Sequence, residues 1–324
     1  MKRVYEGACT IDLISLPYQH GGVNVYLLEN RDRLTLIDAG VGSAENLDVL
    51  AGALKQAGRS VFEIDRVLIT HYHRDHIGLL PYLQSSRNLA VYAHPAAIPR
   101  IRFESDYMRM RLDFFRNLYH EMGCGELGES RIAQMEKSLE ESRDMRFVGE
   151  IQPIMPDSFP DVAGLEPIFS PGHAPDHLMF YDRKEKVLIS GDHVLPKISS
   201  NALVEPDVTG ERLKSLVMYY RSLQQCRELD VDLALPGHGE PFRNFRQTLD
   251  QKIAHIEQKV NRVRALLADR PVTAFELARM YYPTEYKRQF SLVMSSIIGA
   301  LDFLESEGRA VKFKRNGIWH YIAG

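Results

Sequence analysis

The chain has 324 residues, 44% of them hydrophobic and 26% charged, with a formal net charge of −3 at pH 7. This is the composition of an ordinary globular protein, long enough for one large domain and a small one, so disorder is not expected to dominate. The small net charge gives no general reason to expect a polyanion or an anionic membrane surface as partner.

The first residues, MKRVYEGACTIDLISLPY, start basic but meet Glu6 and Asp12 before any apolar core of secretory length, so no signal peptide is read. No stretch approaches the roughly 18 apolar residues of a membrane span, and a cytoplasmic location is expected. Three short β-type runs follow: TIDLISL, VNVYLLE after Gly21-Gly22, and RLTLIDAG closing at Gly40. Ser43 then caps a helix, AENLDVLAGALKQAG, with Leu47, Leu50 and Leu54 at helical spacing and Gly58 as its stop. IDRVLITHYH reads as a strand running into a histidine cluster, and LAVYAH as the next strand.

From about residue 98 to 146 the pattern turns helical, rich in Met, aromatic and charged residues, and reads as an insertion. Strands return with EPIFSPGH, HLMFYD, KVLISGDHV and DLALPGHG. From Phe245 the β signal is replaced by three helical stretches and then by two alternating runs joined at Asn316-Gly317, a hairpin signal. Helices ending in a hairpin suggest a small winged-helix-like unit over 245–324, behind a first domain over 1–244. Cys9, Cys124 and Cys226 lie far apart without CxxC spacing, which argues against a disulfide framework and against a thiolate zinc site.

The chemistry is concentrated in THYHRDHIG, residues 70–78, where His71, His73, Asp75 and His76 fall within six positions. Neutral imidazole and carboxylate are the usual ligands of zinc and related divalent metals. An ordinary surface role is the simpler reading of any one histidine. It does not explain four such residues followed by His173 in SPGHAPDH, Asp192 in SGDHV and His238 in LPGHGEP, each after a strand. His177 and His193 adjoin these turns and are candidates for supporting the ligands or touching substrate. His20, His94, His120, His255 and His320 are isolated, and ordinary structural roles are expected of them.

On these residues the sequence resembles the metallo-β-lactamase-fold hydrolase superfamily, whose HxHxDH pattern is matched by His71, His73, Asp75 and His76, with His173, Asp192 and His238 following in order. The resemblance covers about the first 244 residues. It implies an α/β fold, a four-layer αββα sandwich with metals at one edge of the paired sheets. It further implies one metal on His71, His73 and His173, a second on Asp75, His76 and His238, and Asp192 bridging. Two divalent ions are expected, zinc first, although iron and manganese accept the same ligands. A hydroxide shared by two such ions would attack an electrophilic carbonyl or phosphorus, with Asp75 as the catalytic residue that orients it and passes a proton to the leaving group.

Departures from relatives narrow the reaction. Zinc β-lactamases of this fold carry a cysteine where this chain has Asp192, so antibiotic hydrolysis is not expected; electron-transfer diiron relatives replace an early ligand with glutamate, absent here. Glyoxalase II and the lactonases share all seven ligands, but the hairpin-ended C-terminal unit does not resemble the glutathione-binding region of glyoxalase II. The expected function is therefore hydrolysis of a small thioester, ester or lactone. One alternative is a single-strand endoribonuclease of the β-lactamase-like 2 type, since 245–324 carries 13 Lys and Arg against 8 Asp and Glu. Another is an enzyme like the one-iron persulfide dioxygenases. A small-molecule substrate is the expected partner, with nucleic acid second, no membrane, and a homodimer as the assembly to test.

Overall fold

The structure, a computed structural model, describes residues 1–7, 9–18, 21–30, 33–84, 89–142, 145–155, 159–197, 199–267 and 270–324; His20 lies outside them. Seven strands form one sheet in chain order: β1 (Lys2–Glu6), β2 (Thr10–Leu16), β3 (Val23–Asn30), β4 (Arg33–Ile37), β5 (Arg66–Leu68), β6 (Ala90–Ala93) and β7 (Ile151–Pro153). β1 to β4 pair antiparallel, and β4 to β7 run parallel. A second sheet has the order β11 (Leu233–Pro236), β10 (Val187–Gly191), β9 (Leu178–Asp182) and β8 (Leu165–Phe169), antiparallel except for the β10–β11 pair.

Strand alternation builds two apolar layers. Ile11, Leu13, Tyr26, Leu28, Ile37 and Leu68 face Leu165, Leu178, Phe180, Ile189 and Leu235 between the sheets. The intervening residues Val25, Leu27, Leu36, Val67 and Val91 turn the other way. There they meet α1 (Ala44–Gln56) through Leu50 and Leu54, α3 (Leu80–Leu83) through Leu80 and Leu83, and α4 (Ile98–Ile101) through Ile101. Each fully buried aliphatic side chain contributes about 1.5–3 kcal/mol, so the first sheet is held from both faces. The cap expected for α1 is present: Ser43 Oγ accepts from the Asn46 N–H at 3.1 Å.

The parallel strands bring their carboxyl ends to one edge. There the sheets are tied by main chain, with Leu178 N–H donating to Thr70 C=O at 2.7 Å and Asn24 N–H to Gly237 C=O at 2.8 Å. The Tyr26 hydroxyl adds a bond to Pro236 C=O at 2.6 Å.

Two compact units divide the chain. The first comprises Met1–Glu104, Asp144–Ser200 and Cys226–Leu249, and contains both sheets. The second comprises Ser105–Arg143, Asn201–Gln225 and Asp250–Gly324. It contains α5 (Ser105–Glu121), α6 (Gly125–Glu141), α9 (Ala274–Tyr281) and α10 (Phe290–Ser306), with most of α7 (Ser215–Cys226) and α8 (Phe245–Ala265). On α5, Met108, Phe115 and Leu118 form a buried stripe. The hairpin of β12 (Ala310–Arg315) and β13 (Ile318–Ala323) turns on Asn316 and Gly317 at φ +50° and +80°, the positive-φ pair of a type I′ turn.

Burial pushes the Cys9 thiol up to about 11 and those of Cys124 and Cys226 up to about 12, so the three free cysteines are inert at neutral pH. Among the described residues, no helix is long and apolar enough to cross a membrane.

Candidate metal centre

β5 stops at Leu68, so His71 and His73 stand on the loop beyond it, while Asp75 and His76 open the short helix α2 (Arg74–Ile77). The turn after β8 supplies His173, the one after β10 Asp192, and the one after β11 His238. The structure thus brings together all seven predicted ligands. Their atoms fall in three groups, each with members within 4.8 Å of one another: His71, His73 and His173; Asp75, His76 and His238; and His71, His76 and Asp192.

In the first group His73 Nδ1 lies 2.9 Å from both His71 Nε2 and His173 Nε2. Burial first, then the neighbouring imidazoles, push His71 and His73 well below the usual histidine range, so both present lone pairs. In the second group His238 Nε2 is 3.3 Å from Asp75 Oδ2 and 3.3 Å from Asp192 Oδ2, and His76 Nε2 is 3.5 Å from Asp192 Oδ1. Burial opposes charge on all four of these residues, but the opposite charges win. Asp75 drops to about 2 and Asp192 well below the carboxylate range, while His238 rises to about 10 and His76 well above the histidine range. Asp192 Oδ2 also lies 3.6 Å from His173 Nε2, so one carboxylate reaches both triads.

A layer of residues with no motif signature holds these ligands. The Asp38 backbone is left-handed at φ +62°. Its Oδ1 accepts from the Thr70 N–H, and its Oδ2 from the Thr70 hydroxyl and from His76 Nδ1, each at 2.8 Å. Because the Thr70 hydroxyl spends its proton on Asp38, it accepts from His71 Nδ1 at 3.0 Å, which leaves His71 Nε2 as the lone-pair nitrogen. His238 Nδ1 donates to Gly22 C=O at 2.8 Å, aiming Nε2 inward. His177 accepts the Asp192 N–H on Nε2 at 3.1 Å and donates from Nδ1 to Ser170 Oγ at 2.8 Å. Both His177 and His193 are fully buried, which suits support of the Asp192 turn.

The residues fit divalent ions. Among the described residues His73 Nε2 is buried without a hydrogen-bond partner, His76 Nε2 and Asp192 Oδ1 are buried with only each other at 3.5 Å, and a Cβ at position 237 would come within 2.2 Å of Asp192 Oδ1. The lone pairs of His71 and His73, the buried carboxylates and the glycine-lined clearance form a donor set for cationic charge, and the protons that His76 and His238 hold against Asp75 and Asp192 would give way to the ion.

Sequence reasoning named all seven residues of these three groups and missed Asp38, Thr70 and Tyr18. The Tyr18 ring stacks on His238 at 6.1 Å, its phenol kept protonated by burial and by the Asp75 carboxylate. Only the strand-end position of Asp38 in LIDAG could have marked it; Tyr18 carries no signal.

The fold and this site define a two-sheet α/β sandwich with a candidate divalent-metal centre at the carboxyl-end edge of its strands. A family model described as the Metallo-beta-lactamase superfamily matches residues 18–238, and the chain belongs to that superfamily. The chain is 31% identical over 306 residues to a Bacillus subtilis (strain 168) protein named "Probable metallo-hydrolase YqjP", covering 92% of this chain and 93% of that one. An Aspergillus fumigatus protein named "Atrochrysone carboxyl ACP thioesterase" is 24% identical over 246 residues, 76% of this chain and 59% of its own length. The crystal structure of a metallo-beta-lactamase family protein from Thermus thermophilus superposes with a TM-score of 0.80 at 25% identity, covering 97% of this chain and 98% of that one. The expected sandwich fold is borne out.

Proposed function

We propose that the protein carries two divalent metal ions, zinc foremost, and hydrolyses a small thioester, ester or lactone. The observation that carries this reading is Asp192, whose two oxygens lie 3.5 Å from His76 Nε2 and 3.6 Å from His173 Nε2, reaching both ligand triads. In this reading His71, His73 and His173 hold one ion, and Asp75, His76 and His238 the other. Bound divalent ions lower the pKa of coordinated water towards about 7 and polarise a carbonyl oxygen.

Asp75 uses one carboxylate oxygen towards His238 and turns the other to the attacking water, orienting it and carrying its proton to the leaving sulfur or oxygen. The Tyr18 phenol beside His238, 40% exposed, is placed to donate to substrate. The similarity to a thioesterase supports a thioester first. Two of the three basic residues of the hairpin are engaged, which weighs against the nucleic-acid alternative: Lys312 donates to Glu305 at 2.9 Å and Lys314 to Glu121 at 2.6 Å, and both ammoniums lie over Trp319.

The test joins elemental analysis to a panel of thioesters, esters, lactones, phosphodiesters and RNA. About two ions per chain and thioester or ester turnover are expected, falling at least a hundredfold in Asp75→Asn with the fold intact. Full turnover in that variant, or activity on RNA alone, rejects the proposal.

A further inference from the structure

The edge bearing the centre carries a second set of side chains that neither the ligands nor their supports use. Phe169 closes β8 there and His94 directly follows β6, and their rings stack at 4.8 Å with an interplanar angle of 6°. Alternation explains how they meet. Tyr92 packs into the layer between the sheets, so His94, two residues on, faces that layer; Leu165 is buried in it, so Phe169, four residues on, does the same.

Main chain holds the pair beside the ligands. Ile69 N–H donates to Tyr92 C=O at 2.9 Å, so the strand end bearing His94 runs beside the one leading to His71. Ser170, next to Phe169, donates its N–H to His177 C=O at 2.9 Å on the way to His173. Ile154 N–H donates to Ala93 C=O at 2.8 Å, which sets Met155 at the same edge.

Two features distinguish this patch from ordinary core. Phe169, at the end of the layer between the sheets, is 49% exposed, and Met155 at the same edge is 47% exposed. His94 Nδ1 accepts the Ala96 N–H at 3.2 Å, which places the proton of the neutral ring on Nε2. Burial pushes the His94 pKa down, so the ring stays neutral. Among the described residues, no acceptor meets that Nε2–H.

We propose that His94 and Phe169 form the acyl-side subsite of the centre, taking a flat aromatic or unsaturated acyl group on the open face of Phe169 and giving an oxygen of that group a hydrogen bond from His94 Nε2. An aliphatic wall accepts any chain, whereas an aromatic face adds a preference for flat groups. A neutral imidazole gives direction without charge, which suits a carbonyl, hydroxyl or ether oxygen more than a carboxylate. The assignment to the acyl side rests on the hydrolase reading above.

The experiment uses the metal-loaded full chain with S-benzoyl-, S-methoxybenzoyl- and S-acetyl-N-acetylcysteamine, and the uncleaved analogue N-(2-acetamidoethyl)benzamide as a binding probe. Phe169→Ala is expected to raise KM for the benzoyl thioester and Kd for the benzamide about five- to tenfold. The acetyl thioester, kcat and metal content should move by less than about twofold. His94→Phe keeps the stack and removes the donor, and should raise KM for the methoxybenzoyl thioester about threefold more than for the benzoyl one. Unchanged benzamide affinity in Phe169→Ala, or equal losses for acetyl and benzoyl thioesters, overturns the subsite. Phe169-dependent benzamide binding with no thioester turnover supports the subsite while removing the hydrolase reading.

Discussion

Asp38 shows how much of the centre depends on one residue that binds no metal in our reading. Its carboxylate accepts three hydrogen bonds, two from Thr70 and one from His76, and so sets the ring orientation of His76 directly and of His71 through the Thr70 hydroxyl. The left-handed backbone at φ +62° costs energy that Asp tolerates better than most residues, a local strain retained where it positions functional groups. Asp38→Ala should therefore lower metal affinity by about 10- to 100-fold, read by competition with a chromophoric chelator, with Asp38→Asn recovering part of the loss. Unchanged affinity in Asp38→Ala would show that the ligands hold themselves. The seven candidate ligands were legible because a strand followed by a polar turn recurs four times. Asp38, Thr70 and Tyr18 were not, because their roles depend on contacts between segments distant in sequence.

At the level of elements, the clear periodic signals were read correctly and the weak ones were not. α1, with Ser43 ahead of it and Gly58 behind, and the Asn316-Gly317 hairpin declare themselves through local chemistry. β7 has three residues and β1 is a partly exposed edge strand, so neither offers enough alternation to be seen, and α7 went unread. α9 tests the local rules. Thr273 Oγ1 accepts from Glu276 N–H at 3.1 Å, while Glu276 Oε2 accepts from Thr273 N–H at 2.8 Å, a reciprocal capping box. Thr273→Ala should cost about 1 kcal/mol, read from the denaturation midpoint. Burial works against the charge on Glu276, but the Thr273 N–H and Arg270 outweigh it and hold the pKa below the usual glutamate range. The unfolded chain thus takes up the proton first as pH falls. The contribution of Glu276 is complete above the ordinary glutamate range and is lost as pH drops through its own lower value, so Glu276→Gln should flatten the acid-side loss of stability. An unaltered slope would assign that loss to other carboxylates.

For the molecule as a whole, the charge left buried at the ligand edge predicts that metal and stability are linked. A ligand that binds only the folded chain adds about 2.7 kcal/mol when its concentration is a hundred times its Kd, so chelation should lower Tm and added zinc should raise it in proportion to the logarithm of free metal. The amides of Asn24 and Leu178, which bond across this edge, should exchange faster after chelation. A Tm indifferent to chelator would mean that the edge is already balanced by its protons. Which stretches would join the second compact unit was not legible, because Ser105–Arg143, Asn201–Gln225 and Asp250–Gly324 come together only through contacts that local patterns do not encode. The bond from Leu178 N–H to Thr70 C=O has a kinetic consequence. It closes between segments more than a hundred residues apart, and His73 and His173 become neighbours in the same step. The triad cannot form before these segments meet, and because closing so long a loop costs entropy, the docking of the sheets is expected to be a slow step. Cobalt(II), whose colour follows its coordination, would therefore act as a clock started by refolding and stopped by the meeting of the sheets.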